Sequence, residues 1–288
     1  MRPLVLPLAE RLGRLALVRG AGFTSRHVHT EHGKLHTYEA RGTGDLPTTV
    51  VLHGLGSAAT PFGPLLSRLR PHTRRVIAPD YPGHGFSADV TGRLTPERLF
   101  DAVTSALDSL APEPSAERVA DHDGGLALRY AIEHPERVSA LVLVSPAGAH
   151  SSDEEWQAIR RLFAITSRKD AITFLERVYH RPPWFIPFVA RELPITLTRP
   201  AVRDLLESAS NDHAPTPEAL AALSMPVLFL WGRSEKLLPD THFEWFSRHL
   251  PAHAVIERPY GMGHCPHFDA PGALVRRIVA FAREATAG

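Results

Sequence analysis

RVADHDGGLALRYAIEHPERVSALVLV, residues 118–144, opens as an apolar strand, breaks at a group of small residues, resumes as a helical pattern and ends in a second strand. A strand that becomes a helix within so few residues needs small side chains at the bend, because the two then pack closely. Gly124 and Gly125 supply them. Asp123 stands at the tip, after Asp121 and His122. A carboxylate at a helix N-terminus is held ionised by the helix dipole and nearby backbone N–H groups. It can attack an sp3 carbon that bears a leaving group, or it can take a proton.

On either side of this turn, short β-rich runs alternate with helical patterns, which predicts a largely parallel sheet covered by helices. The expected strands lie at 26–32, 34–40, 48–54, 74–80, 117–122, 139–145, 225–232 and 252–259. The alternation stops over residues 150–222, which read as consecutive helices broken by prolines. The expected organisation is therefore an N-terminal helix and lead-in (1–25), an α/β core (26–149 and 223–288) and an all-helical lid or cap (150–222). Such a lid would sit beyond the carboxyl ends of the strands, where open α/β sheets bind ligands. Aromatic side chains such as Tyr179 and Trp184 are candidates to line its pocket.

The bulk composition narrows the function classes. Of 288 residues, 43 % are hydrophobic, enough for a substantial core, and 32 basic residues against 31 acidic leave a net charge of +1. That balance gives no electrostatic reason to expect nucleic acid. The single cysteine, Cys265, excludes an intrachain disulfide and fits a cytoplasmic setting. There is no dinucleotide fingerprint and no credible metal cluster, so no cofactor and no metal are expected. Charges at Glu10, Arg11, Arg14 and Arg19 break up the apolar N-terminus, so neither a transmembrane segment nor a secretory leader is expected there. Leu8, Leu12 and Leu15 predict an amphipathic helix packed on the body, with a membrane-surface position as the alternative.

Four segments together resemble the α/β-hydrolase superfamily: VVLHGLGS (50–57), RVIAPDYPGHGFS (75–87), DHDGG (121–125), and the pair LFLWGRSEKLLP (228–239) with YGMGHCPHFDAPG (260–272). The resemblance implies an α/β-hydrolase fold with a small-molecule substrate. It also implies a triad in the order Asp123, Glu235, His264, the order this fold imposes. Leu55 and Gly124 would be the oxyanion-hole donors, with His53 and Gly54 shaping that turn and Ser57 close by. His122, Asp123 and Gly125 match the branch with an aspartate nucleophile, which includes epoxide hydrolases and haloalkane dehalogenases.

In that branch Asp123 would form an alkyl-enzyme ester and His264, oriented by Glu235, would activate the water that cleaves it. Asp240 is the reserve acid. An epoxide is the favoured substrate over an alkyl halide, because Gly124 stands where many dehalogenases carry a halide-holding Trp, and Tyr179 could donate to the opening oxygen. His180 and His213 are the other lid donors. Three further readings stay open: a non-hydrolytic cyclisation or elimination with Asp123 as base, an ester or lactone hydrolase, and a non-catalytic binding relative.

Overall fold

A computed structural model of the chain describes residues 4–111, 117–122 and 125–287. Eight strands form one sheet: β1 (Thr24–Thr30), β2 (Gly33–Arg41), β3 (Thr49–Leu52), β4 (Arg75–Pro79), β5 (Glu117–His122), β6 (Val138–Val144), β7 (Val227–Leu230) and β8 (Val255–Glu257). Their spatial order is β1-β2-β4-β3-β5-β6-β7-β8. The β1–β2 and β2–β4 pairs are antiparallel and every pair beyond them is parallel. All eight strands fall where the sequence pattern puts them, with ends displaced by a few residues.

The helices are α1 (Val5–Leu15), α2 (Gly63–Leu69), α3 (Pro96–Leu110), α4 (Gly125–Glu133), α5 (Asp153–Phe163), α6 (Arg168–Val178), α7 (Ile186–Val189), α8 (Leu193–Leu197), α9 (Pro200–Ser208), α10 (Pro217–Ala221), α11 (Asp240–His249), α12 (Pro266–Asp269) and α13 (Pro271–Ala287). Alternate strand residues explain how they are distributed. Val50, Leu52, Ile77, Leu141, Leu143 and Phe229 join the core containing α3, α4 and α11. Val51, Val76, Ala78, Val142, Leu228 and Leu230 join the core containing α2 and α13. Successive side chains of a strand point to opposite faces, so a sheet covered on both faces reads as continuous apolar runs.

Between β6 and β7 the chain is helical from α5 to α10. Capping boxes start two of these helices, Ser152 with Glu155 for α5 and Ser167 with Asp170 for α6. The segment has a core of its own, in which Phe174, Leu175, Val178, Ile186, Leu193 and Leu197 pack together with Leu237 from the loop after β7.

At the N-terminus, α1 lies across this helical segment and the body, but not in the expected orientation. Leu17, just beyond α1, is buried, whereas Leu8, Leu12 and Leu15 face outward. The inner face instead carries Gly13, where an added Cβ would lie 2.7 Å from the Thr60 methyl group, so small size sets the approach. Glu192 fixes the start of α1, its carboxylate accepting from the backbone N–H groups of Leu4, Val5 and Leu6 at 2.7, 2.8 and 2.7 Å.

Candidate active site

The loops after β3, β6 and β7, the start of α4 and the loop after β8 converge on one cavity of about 1300 Å³. Its other wall comes from the helices between β6 and β7, with α1 at the side. The lining is mainly apolar.

The loop after β7 carries Glu235 and the loop after β8 carries His264. The His264 Nδ1–H donates to Glu235 Oε2 at 2.9 Å, and both side chains are buried. Glu235 Oε1 accepts from the N–H groups of Leu237 and Leu238 at 2.7 and 3.1 Å. Burial by itself raises the Glu235 pKa. The His264 charge, its hydrogen bond and the two backbone donors outweigh that and hold the carboxylate down at about 2. It stays ionised at neutral pH, fixing the imidazole with its proton on Nδ1. Asp240, the reserve acid, begins α11 and pairs at the surface with Arg258 at 2.9 Å.

The two loops are held together through their backbones. The Ser234 N–H donates to the Met262 carbonyl at 3.0 Å, and a Cβ on Gly232 would fall 2.3 Å from the same oxygen. The histidine loop is tied equally closely to α6: Cys265 N–H donates to the Val178 carbonyl at 3.1 Å. A Cβ on Gly263 would lie 2.7 Å from the His180 nitrogen. Asp269 spans this junction, accepting from Gly263 N–H at 2.8 Å and from His180 N–H at 3.0 and 3.1 Å. Sequence reasoning missed Asp269, although its place in the histidine loop, five residues after His264, was a usable signal.

β5 ends at His122 and α4 begins at Gly125, so one strand passes into one helix across two positions. Those positions, Asp123 and Gly124, lie outside the described residues, as does the His122 side chain. Gly54, Leu55, Gly125 and His264 all line the cavity.

His53, expected to help shape the substrate site, does not line the cavity. It is buried beneath the turn, with Nε2 accepting from Tyr81 N–H at 3.0 Å and Nδ1–H donating to the Gly54 carbonyl at 2.8 Å. Burial and the neighbouring His84 hold its pKa down at about 4, so it is neutral at pH 7. Its part is to brace the turn rather than to touch a ligand. Asp80 braces the same region, accepting from Ala59 N–H at 2.7 Å and from the buried His36 ring at 2.8 Å. Ser57 lines the cavity.

Tyr179 lines the cavity, stacked on Phe268 with ring centroids 5.3 Å apart. Burial, then Cys265 and Asp269, push its phenol pKa well above the usual range, so it keeps its proton. Trp184 is a correction. It is 82 % exposed and stays outside the cavity, whereas its neighbour Phe185 lines the cavity and Ile186 is buried in the core of the helical segment. His180 and His213 line the cavity, His180 bonded through Nδ1 to Ser234 Oγ at 2.6 Å and His213 beside Glu97 at 2.8 Å. His242, not singled out from sequence, also lines it, its ring 2.8 Å from Ser151 Oγ. Among the described residues no group of three or more His, Cys, Asp or Glu side chains is arranged to hold a metal ion.

A sequence profile described as the alpha/beta hydrolase family matches residues 49–277. Pimeloyl-[acyl-carrier protein] methyl ester esterase of Xanthomonas campestris is 28 % identical over 82 % of this chain and 96 % of its own length. Two solved structures share the fold. A membrane phospholipase A described as a bacterial virulence factor has a TM-score of 0.79 at 20 % identity, covering 99 % of this chain and 97 % of its own. A carboxylesterase from Bacillus subtilis has a TM-score of 0.74 at 20 % identity, covering 95 % and 98 %.

Proposed function

Since the chain belongs to the alpha/beta hydrolase family, we propose that it hydrolyses a mainly apolar organic substrate through a covalent ester on Asp123, with an epoxide as the favoured substrate. The observation that carries this reading is the identity of residue 123: an aspartate between β5 and α4, the helix whose Gly125, Leu126 and Arg129 line the same cavity as His264. A carboxylate attacking an ordinary ester would form a high-energy anhydride. Against an sp3 carbon it forms a stable ester.

In this mechanism an Asp123 oxygen bonds to a ring carbon, the C–O bond of the epoxide breaks, and the departing oxygen takes a proton from the Tyr179 phenol. Water then attacks the ester carbonyl carbon and gives its proton to His264 Nε2, while Glu235 stabilises the imidazolium. The N–H groups of Leu55 and Gly124 hold the resulting oxyanion. Collapse releases the diol and the Asp123 carboxylate, and the proton on His264 returns to the Tyr179 phenolate through solvent. Residues 150–222 act as a lid whose apolar inner wall selects the substrate and limits access of water.

His264→Gln tests the reading, because it leaves the attack intact and removes the base for hydrolysis. After incubation with a panel of epoxides, haloalkanes and activated esters, intact mass should show a stable adduct that peptide mapping places on Asp123. Wild-type turnover with no adduct on the variant sinks the covalent route. Ester hydrolysis without an alkyl intermediate, the His264–Glu235 pair activating water directly, is the second reading. It is favoured by the esterase relative, and wild-type turnover of esters alone, with no adduct, would establish it.

A further inference from the structure

The amphipathic helix α1 is docked with its apolar stripe facing outward. Leu8 and Leu12 are 57 % and 56 % exposed, and Leu4 and Leu15 continue the same stripe. Four leucines spaced at positions 4, 8, 12 and 15 share one helical face. Beside them stands a second exposed apolar group. α1 packs on α7, and the α7 region displays Trp184 and Phe188, their rings 6.3 Å apart, with Phe188 57 % exposed. Adjoining exposed apolar surfaces on two elements mark an interaction face.

Its charge shows what it faces. Arg11 and Arg19 are exposed along the N-terminal segment, and Arg177, Arg181 and Arg191 along α6 and around α7. Of the acidic residues in these stretches, Glu176 is exposed beside Arg177 on α6 and Asp170 caps the start of that helix. Glu192 is buried against the start of α1, and Glu10 is half-buried on the cavity wall. The face is therefore leucine, tryptophan and phenylalanine with five exposed arginines, Arg11, Arg19, Arg177, Arg181 and Arg191, against the exposed Glu176. That combination matches an anionic bilayer surface, where apolar side chains enter the acyl boundary, tryptophan sits at the headgroup level and arginines meet lipid phosphates. A second copy of the chain would set arginines against arginines.

The geometry points to this face as a site of peripheral docking on anionic lipid membranes. No helix among the described residues is long and apolar enough to cross a bilayer, so α1 and the α7 region lie in the interface plane. The cavity opens beside them: Ala9 of α1, Phe185 and Ile195 are exposed and line it at once. An apolar substrate dissolved in the membrane enters by that edge without crossing water. This consequence needs an apolar substrate but not the Asp123 chemistry, so the docking stands or falls separately from the reaction.

Flotation of the full chain with phosphatidylcholine vesicles, with and without phosphatidylglycerol, tests the inference. Binding is expected with phosphatidylglycerol and is weakened by salt. Leu8→Ser/Leu12→Ser/Leu15→Ser should reduce binding roughly tenfold or more, since each leucine contributes several buried methylene groups. Trp184→Ala/Phe188→Ala, on a separate element, should also weaken binding, so misfolding of one variant does not decide the outcome. These five side chains lie outside the cavity lining, and both variants should keep the wild-type melting temperature. Wild-type protein that fails to float, or two folded variants that float as well as wild type, overturns the proposal. So does a wild-type dimer in sedimentation that the serine variant dissociates without vesicle binding in either.

Discussion

The loops at the carboxyl edge of the sheet and the pair formed by α1 with the α7 region are built on opposite plans. At the sheet edge, backbone meets backbone. The Glu235 and His264 loops bond to each other directly, glycines allow the contact, and every oxygen of the acid has a donor. At α1, the contact rests on one side-chain carboxylate, a glycine against a methyl group and an apolar face left to solvent. Tight polar geometry fixes reacting groups to fractions of an ångström. A loosely attached apolar face suits a surface that meets a partner without a fixed shape.

Glu235→Gln should have the largest effect. It removes the buried charge opposite His264 and allows the wrong tautomer, so turnover should fall on the order of 10⁴-fold while the fold survives. The pH dependence has a definite sign. The Glu235 pKa is lowered from 4.5 to about 2 on folding, so its contribution to stability is complete above pH 4.5 and is lost as pH falls toward 2. His53, lowered from 6.5 to about 4 because it is buried neutral, adds an earlier loss as pH falls from 6.5 to 4. Chemical denaturation across this range should show stability falling in both intervals, with Glu235→Gln flattening the lower one. A variant with near-wild-type turnover would mean that the acid does not govern His264.

Gly263→Ala probes the junction between sheet edge and helices. Its Cβ would meet the backbone of Tyr179 and His180, and neither can move without disturbing the Asp269 bonds. Overpacking of this kind costs about 1–3 kcal/mol. Displacing His264 by a fraction of an ångström should lower turnover on the order of 10²-fold. Melting temperature and turnover should therefore drop together. A stability loss at unchanged turnover would show that the histidine loop holds its geometry without α6.

The difference in plan also explains what the sequence revealed. Glycines, prolines and histidines at the sheet edge are dictated by turns and close contacts, so their spacing records the fold, and the eight strands and the Glu235–His264 pair could be anticipated. Asp123, expected in the turn between β5 and α4, lies outside the described residues. Trp184 and the α1 leucines were not legible, because an apolar stripe shows that a helix has two faces without showing which one is buried. Pattern favoured burying Leu8, Leu12 and Leu15. Gly13 against Thr60 and the Glu192 carboxylate at the start of α1 put the other face inside, and those contacts arise between segments far apart in sequence.

Glu192→Ala tests how far α1 is independent of the catalytic frame. It removes the acceptor for three N–H groups at the helix start, a capping loss worth about 1 kcal/mol. Because α1 has few other polar ties, the effect should be local. Proteolysis should reach the first helix sooner, the global unfolding midpoint should shift slightly, and turnover of a small substrate should stay near wild type. Bulky apolar substrates should suffer more, since Leu6, Pro7 and Gly13 wall one side of the cavity. A collapse of small-substrate turnover on the scale of Glu235→Gln would erase the distinction between the two regions and make α1 part of what positions the reacting groups.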